Sequence, residues 1–258
     1  MRLLEYPLGK GVRAFSTFRG DVCPDDPYSS FNITHYCGDN PAHVAECRRM
    51  LCAELRIPDE RLLLPHQIHS DRVLVIDPTF GEVFPEFRQS ILPDADALVT
   101  TLPGLCIGVS TADCVPVLLY DGSNRIAAVV HAGWRGAVQH IVAKTLSAMQ
   151  RAGADPTRTV AVIGPGIGLE SFEVGEEVVE AFLDAGFPPC ILSRAWPKPH
   201  IDLQGACAWQ LEQAGVPLRN IRSAGIDTFA EHHCFFSARR LGIHSGRIFT
   251  GILMKPAR

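Results

Sequence analysis

The fold is decided by the stretch from residue 105 to residue 131, which reads LCIGVSTADCVPVLLYDGSNRIAAVVH. It contains three apolar runs, at 105–110, 115–120 and 126–131, each as long as a buried β-strand. Asp121-Gly122 separates the second run from the third and is typical of a tight turn. Strands that follow one another so closely predict a mixed sheet rather than a regular parallel βαβ arrangement.

Helical patterns lie on both sides of this strand-rich stretch. Residues 41–55 follow Asn40, a favoured N-cap residue, and begin with a proline, which suits the first helical turn. Residues 136–152 place apolar side chains at helical spacing and stop before Gly153. Further helices are predicted at 176–185 and 206–214, and further strands at 73–76 and 159–163. Because no repeat or linker interrupts this pattern, it predicts one α/β domain over residues 1–258.

Composition restricts the class of protein. The chain has 258 residues, of which 47% are hydrophobic and 20% are charged, as in an ordinary globular protein. Its formal net charge of -4 offers no global positive field to attract nucleic acid or an anionic membrane. No apolar run is long enough to span a membrane, and Glu5 and Pro7 stand where a secretory signal would be apolar. The nine cysteines form no C-x-x-C pair, so we expect reduced thiols in a cytoplasmic protein.

Three segments carry polar side chains that a core strand does not need. They read LPHQIH at 64–69, STADCVP at 110–116 and VHAGWRG at 130–136. If the first segment is extended, Gln67 and His69 share one face of it. The two strands that flank the turn at 121–122 would bring Cys114 and His131 near each other, and His69 would then supply a third donor.

These three donors predict an open metal centre. Two imidazoles and one thiolate suit a borderline-soft divalent ion, and three protein ligands leave a fourth position for water or substrate. Zn²⁺ is favoured over copper, because none of the four methionines neighbours the three segments as an axial copper ligand. The ten histidines also include no H-x-H pair, which a multicopper site would need.

Two glycine-rich turns have structural explanations beside functional ones. The turn at 133–136 leads into a predicted helix, so its backbone N–H groups would seat an anion such as phosphate, or its glycines only permit a tight turn. The segment GPGIG at 164–168 lacks the spacing of a dinucleotide-binding loop, and we exclude that function for it.

The motifs of the chain resemble a known family. HQIH at 66–69, DALVT at 96–100, TADCVPVLL at 111–119 and HAGWRG at 131–136 are similar to motifs of the laccase-domain family, also known as multicopper polyphenol oxidoreductases, of the purine nucleoside phosphorylase type. Further matches are IGPGI at 163–167, FEVG at 172–175 and FFSARR at 235–240. The resemblance covers nearly the whole chain.

The resemblance implies a fold, a metal site and an activity. The implied fold is a layered α/β/β/α domain with mixed sheets. The implied metal ligands are His69, Cys114 and His131, the same set that the residues themselves indicated. The implied activity is phosphorolysis of adenosine, inosine or methylthioadenosine, with adenosine deamination as well. Purine nucleosides and phosphate are therefore the expected small-molecule partners, and no nucleic-acid or membrane partner is expected.

Catalytic roles are predicted for Asp113 and Cys114. A bound zinc ion lowers the pKa of a water ligand towards about 7, which suits attack on C6 of adenine. Asp113 lies beside the ligand Cys114 and would move the proton, whereas its structural alternative is to cap a turn.

Substrate contacts are predicted for five residues, which are Arg19, Asn32, Gln67, Arg135 and Arg240. Arginine suits phosphate because its planar guanidinium forms bidentate hydrogen bonds. The sequence reads STFRGD at 16–21 where the family has S-T-R-x-G-G, and we take Arg19 as the equivalent arginine.

Three alternative functions remain open from the sequence. A cysteine hydrolase or amidase would use Cys114 as nucleophile, His131 as base and His69 or Asp113 as the orienting group. A non-catalytic nucleoside-binding protein would bind ligand without turnover. A copper polyphenol oxidase comes last because of the histidine count.

Overall fold

The fold contains two six-stranded sheets. The computed structural model describes residues 2–22, 26–80 and 91–256. The strands are β1 Leu3–Tyr6, β2 Val12–Thr17, β3 Leu62–His66, β4 Val73–Ile76, β5 Ile91–Asp94, β6 Ala97–Thr100, β7 Cys106–Thr111, β8 Val115–Asp121, β9 Ile126–Ala132, β10 Val160–Ile163, β11 Leu192–Ser193, β12 His200–Ile201, β13 Ile221–Ser223 and β14 Ile248–Met254. The α-helices are α1 Pro41–Leu55, α2 Trp134–Val138, α3 Ile141–Arg151, α4 Glu176–Asp184, α5 Leu203–Gln213 and α6 Ala238–Leu241.

Both sheets are mixed, as the sequence predicts. The first has the strand order β1-β2-β14-β7-β3-β5, with β3 parallel to β5 and β7. The second has the order β13-β10-β8-β9-β6-β4, with an antiparallel β8–β9 hairpin near its centre. β7 belongs to the first sheet and β8 to the second, so the chain crosses between the sheets at residues 112–114.

Side-chain alternation along the strands builds three apolar layers. On β8, Val117 and Leu119 pack with the helices of one outer layer, whereas Leu118 packs between the two sheets. Phe15 and Leu51 belong to a third cluster, between the first sheet and α1. The layer order is therefore α/β/β/α, which confirms the predicted fold class.

Helix α1 has the predicted bounds, and its N-cap is the predicted residue. The side chain of Asn40 accepts a hydrogen bond from Ala42 N at 2.9 Å. The helix predicted at 206–214 begins earlier, at Leu203, because Asp202 accepts from Gly205 N at 2.8 Å and caps it.

The prediction of a single helix at 136–152 is wrong, because the structure divides this segment into α2 and α3. His140 lies between them with a left-handed backbone (φ 59°, ψ 40°). Its ring stacks on Phe187 at a centroid distance of 5.2 Å, and its Nε2 lies 3.0 Å from Ala185 O. The apolar periodicity continues across the break because Ala137 and Ile141 are buried in the same core.

In the described ranges, no helix is both long and apolar enough to cross a membrane.

Candidate metal centre

His69, Cys114 and His131 come together where the two sheets meet. One donor atom from each residue lies within 4.8 Å of the other two. The Nε2 atom of His69 is 3.8 Å from the Sγ atom of Cys114, and the two imidazole rings have a centroid distance of 4.9 Å. Tertiary structure thus assembles the donor set that the sequence predicts.

Each donor sits at the end of a strand. His131 is the last residue but one of β9, and Cys114 ends the segment that crosses from β7 to β8. His69 follows β3, but the extended conformation considered for residues 66–69 is wrong, because β3 ends at His66 and His69 has a left-handed backbone with φ 60°. With this backbone conformation the His69 ring lies beside Cys114.

Asp96 organises two of the three donors. Its fully buried carboxylate lies 2.8 Å from His131 Nδ1 and accepts a hydrogen bond from His69 N at 3.0 Å. Its second oxygen accepts from both the N and the Oγ of Ser70 at 2.7 Å. A carboxylate on Nδ1 fixes the imidazole tautomer that leaves Nε2 of His131 for a metal ion.

Sequence reasoning assigned no role to Asp96, although it begins the DALVT motif at 96–100. The sequence does place an ionisable residue immediately before the buried strand β6. A buried carboxylate is unfavourable without a partner, so this position could have indicated a functional role for Asp96. That partner, His131, lies on a neighbouring strand, so local sequence patterns could not identify it.

The electrostatics of the donors favour metal binding. Burial raises the pKa of the Cys114 thiol, but the charge and hydrogen bond of His131 outweigh it and lower that pKa below its ordinary value. Burial lowers the pKa of His131, but the Cys114 thiolate and Asp96 raise it overall. Cys114 is therefore ready to act as a thiolate, the form in which cysteine binds metals.

Gly133 leaves room for an ion beside the donors. A Cβ atom at this position would lie 3.0 Å from Cys114 Sγ and 3.0 Å from His69 Cδ2. His131 is buried, Cys114 is half-buried and His69 is exposed, so the donor set opens to solvent on one side. Two nitrogens, one sulfur and one open side fit a metal ion that takes a fourth ligand from water or substrate.

Asp113 lies next to this centre, but both of its carboxylate oxygens have partners. One accepts from Thr228 Oγ1 at 2.8 Å, and the other accepts from Arg239 N at 2.7 Å. Asp113 also has a left-handed backbone with φ 83°. The residue thus fixes the crossover segment against Thr228 and the first turn of α6, and its role in proton transfer stays a prediction.

Gln67 braces the loop that carries His69. Its amide donates to Ser110 O at 2.8 Å and accepts from Ser110 N at 2.7 Å. Its Oε1 also accepts from the hydroxyl of Tyr36 at 3.1 Å. Gln67 therefore ties this loop to the end of β7.

Arg19 and Asn32 are buried and have protein partners. The guanidinium of Arg19 donates to Ser29 Oγ at 2.7 and 2.9 Å and to His232 O at 2.5 Å. The amide of Asn32 donates to Asp39 at 2.8 Å. The structure gives both side chains roles in holding loops, and their contact with substrate stays a prediction.

Arg135 and Arg240 are both exposed. The guanidinium of Arg135 lies 4.3 Å from the ring centroid of Trp134, and that of Arg240 lies 5.0 Å from the ring centroid of Phe229. No ion pair holds either arginine within the described residues. The helix that begins within the predicted anion seat at 133–136 is α2, which has only five residues. The anion seat stays a prediction.

Comparison with known proteins agrees with this geometry. The family model described as multi-copper polyphenol oxidoreductase laccase matches residues 13–255. The chain belongs to this family. The resemblance drawn from the sequence motifs is therefore confirmed.

Relatives in the family are named as enzymes. The chain is 46% identical over 249 residues to adenosine deaminase RL5 of an unknown prokaryotic organism, with 95% of each chain covered. It is 43% identical to a purine nucleoside phosphorylase of Bacteroides thetaiotaomicron, covering 94% of this chain and 92% of the relative. The crystal structure of YlmD from Geobacillus stearothermophilus superposes with a TM-score of 0.87 at 28% identity, covering 97% of this chain and 94% of YlmD. The chain is an enzyme of this family.

Proposed function

We propose that the protein is a zinc-dependent purine nucleoside phosphorylase that acts on adenosine, inosine and methylthioadenosine and also deaminates adenosine. The observation that carries this proposal is the donor set of His69, Cys114 and His131, which is open on one side. The names of two relatives, one an adenosine deaminase and one a purine nucleoside phosphorylase, supply the substrate class.

Zinc would be held by these three residues. When bound, it supplies a Lewis acid that activates water for attack on C6 of adenosine. Two imidazoles and one thiolate suit zinc, and the described residues contain one group of three donors rather than the several that a multicopper oxidase needs. Elemental analysis of protein purified without added metal tests this choice: we expect about one zinc per chain, and several coppers per chain would contradict it.

The residues around the donors position them for this chemistry. Asp96 fixes the ring of His131, and the hydrogen bonds from Gln67 to Ser110 hold the loop of His69. Asp113 fixes the segment of Cys114 from the other side. A donor set held in this way loses little conformational freedom when it binds a metal ion or a substrate.

Arg135 is the first candidate for the residue that binds phosphate. Its guanidinium is exposed and without an ion pair in the described part of the chain, so it can form bidentate hydrogen bonds with a phosphate. Arg240 is the next candidate for the same reason. The buried side chains of Arg19 and Asn32 instead keep their proposed part in substrate binding through the loops that they hold.

The decisive experiment follows the sugar product of inosine. Phosphorolysis gives ribose 1-phosphate at a rate that saturates with phosphate, whereas hydrolysis gives free ribose at a rate that ignores phosphate. We expect hypoxanthine and ribose 1-phosphate only when phosphate is present. If base is not released from inosine, adenosine or methylthioadenosine by the metal-loaded protein, the phosphorylase function is refuted.

A matched pair of variants tests the phosphate contact. Arg135→Ala should raise the apparent KM for phosphate more than the KM for inosine. Arg219→Ala, which removes another exposed arginine, should change neither value. An equal effect of Arg135→Ala on both substrates would move the phosphate contact to Arg240 or elsewhere.

A cysteine hydrolase is the second candidate, because Asp96 is hydrogen-bonded to His131, and His131 in turn interacts with the Cys114 thiol. Asp96 Oδ1 lies 2.8 Å from His131 Nδ1, so in such a hydrolase Asp96 would be the orienting group in place of His69 or Asp113. In a hydrolase, His131 would keep the Cys114 sulfur as a thiolate that attacks a carbonyl carbon. Amidase turnover that survives a strong chelator and is abolished by iodoacetamide would favour this function over the metal-dependent one.

A further inference from the structure

A groove lies at the end of the first sheet opposite to the metal centre. It has a volume of about 950 Å³ and is formed by the C-terminal end of α1, the residues before β3 and β7, and the residues after β14. His69 and Cys114 follow the opposite ends of β3 and β7. Since β7 has six residues, its length alone separates the groove from the metal centre by roughly 20 Å.

The groove is positively charged in a chain whose net charge is -4. Four cationic side chains and a single carboxylate, that of Glu54, line it. Arg13 is paired with Glu54 at 2.7 Å and with a second glutamate outside the groove. Arg56, Arg61 and Lys255 are exposed and form no ion pair within the described residues.

The carbonyl groups at the end of α1 weaken this positive field only slightly. Free carbonyls at a helix C-terminus would repel an anion. Here Ala53 O accepts from Arg56 N at 3.2 Å and Cys52 O accepts from Ile57 N at 3.0 Å. Glu54 O accepts from Arg13 Nη1 at 3.1 Å. Three of the last four carbonyls of α1 are therefore hydrogen-bonded within the protein, and the three cations without ion pairs lie beside them.

The remaining walls of the groove are apolar and have little conformational freedom. They include Ile57 and the prolines at 58, 103 and 256. Proline has no backbone N–H and a fixed φ, so such a wall offers a preformed apolar surface rather than hydrogen bonds. In this groove an anionic group would meet the unpaired cations and an apolar ring system would pack against the proline wall, whereas inorganic phosphate alone fills little of the volume.

We propose that this groove binds a nucleoside monophosphate, with the phosphate between Arg56 and Arg61 and the ring system against Ile57 and the prolines. Because the groove and the metal centre lie at opposite ends of β3 and β7, this ligand and the substrate of the metal centre occupy separate sites. The proposal goes beyond the function proposed for the metal centre and does not depend on it.

Calorimetric titration of the zinc-loaded protein with AMP tests the site. We expect binding that weakens as the salt concentration rises, because exposed charges are screened. The double variant Arg56→Gln/Arg61→Gln removes two of the unpaired charges and should weaken AMP binding at least ten-fold while adenosine turnover stays unchanged. Arg219→Gln, which removes one exposed charge elsewhere, is the matched control and should bind AMP normally.

A third variant separates the groove from the metal centre. Cys114→Ala should keep AMP binding, whereas loss of binding in Cys114→Ala and its retention in the double variant would place AMP at the metal centre and overturn the proposal. Absence of AMP binding at millimolar concentration would also overturn it. Inorganic phosphate that binds as tightly as AMP would refute the contribution of the apolar wall and with it the nucleotide assignment.

Discussion

Replacing Gly133 by alanine tests the geometry of the metal centre with a single methyl group. Gly133 has φ -74° and ψ 166°, a conformation that any L-residue adopts, so alanine causes no backbone strain there. Its Cβ atom would lie 3.0 Å from Cys114 Sγ and 3.0 Å from His69 Cδ2. The side chains of Cys114 and His69 must then each shift away from this methyl group by a few tenths of an ångström, which displaces their donor atoms from the positions that hold an ion.

The expected loss of zinc affinity in Gly133→Ala follows from the free-energy cost of crowding a packed site. Inserting one methyl group into such a site costs about 1–3 kcal/mol. If the metal-bound state bears this cost, zinc binding weakens by a factor of about 5–150. At a saturating zinc concentration the stabilisation by zinc falls by the same free energy, and in a chain of this size each kcal/mol shifts Tm by about 2–4 °C.

The assay compares zinc affinity with thermal stability. A chromophoric chelator in competition gives the zinc affinity, and melting curves with and without zinc give the increase in Tm on binding. Gly251→Ala is the matched control, because its Cβ would crowd Phe249 at 2.7 Å, away from the donors. It should lower Tm equally with and without zinc and leave the zinc affinity unchanged.

Zinc binding by Gly133→Ala that is as tight as in the parent protein would refute this prediction. A loss of Tm that is the same with and without zinc would likewise contradict it. Alanine is also a poorer N-cap than glycine at position 133, but this lowers Tm equally with and without zinc, so only an additional loss of Tm in the presence of zinc reports crowding of the donors.

Three further predictions concern single side chains. Cys114→Ala should lose zinc and ammonia release from adenosine while circular dichroism stays unchanged, and normal ammonia release without metal would contradict the metal mechanism. Asp96→Asn should weaken zinc binding by about 10–100-fold in the same chelator assay, because an amide orients His131 less firmly, and unchanged affinity would deny that role. Burial raises the pKa of Asp121, but hydrogen bonds from Asp155 N and Asn124 lower it overall, below its ordinary 3.8. The stability from this carboxylate is therefore complete above about pH 3.8 and is lost as the pH falls through the lower folded-state pKa. Denaturation curves of Asp121→Asn should differ from those of the parent protein near pH 6 and converge with them in acid. A difference that persists in acid would contradict this.

Residue patterns determined much of the fold. The apolar runs at 115–120 and 126–131 are strands of one hairpin, as predicted, because a buried strand needs apolar side chains on both faces. Helix α1 begins where Asn40 and Pro41 predict it, because capping depends only on neighbouring residues. Local signals of this kind can be read without knowledge of the rest of the chain.

The break at His140 could not be predicted in this way. Its left-handed backbone is stabilised by Phe187 and by the carbonyl of Ala185, which are distant in sequence. The periodicity of apolar residues reports which side faces the core, and it continues across the break because α2 and α3 face the same core.

The sequence by itself determined which atoms can bind a metal, because His69, Cys114 and His131 have donor chemistry that depends on residue type alone. Only the tertiary structure decided that they meet, through the left-handed turn at His69 and the crossing of the chain between the two sheets at Cys114. It also decided that Asp96 orients His131, and that Arg19 is buried while Arg135 is exposed. Burial and hydrogen-bond partners come from strands and loops that are far apart in sequence, and residue type and local periodicity do not encode them.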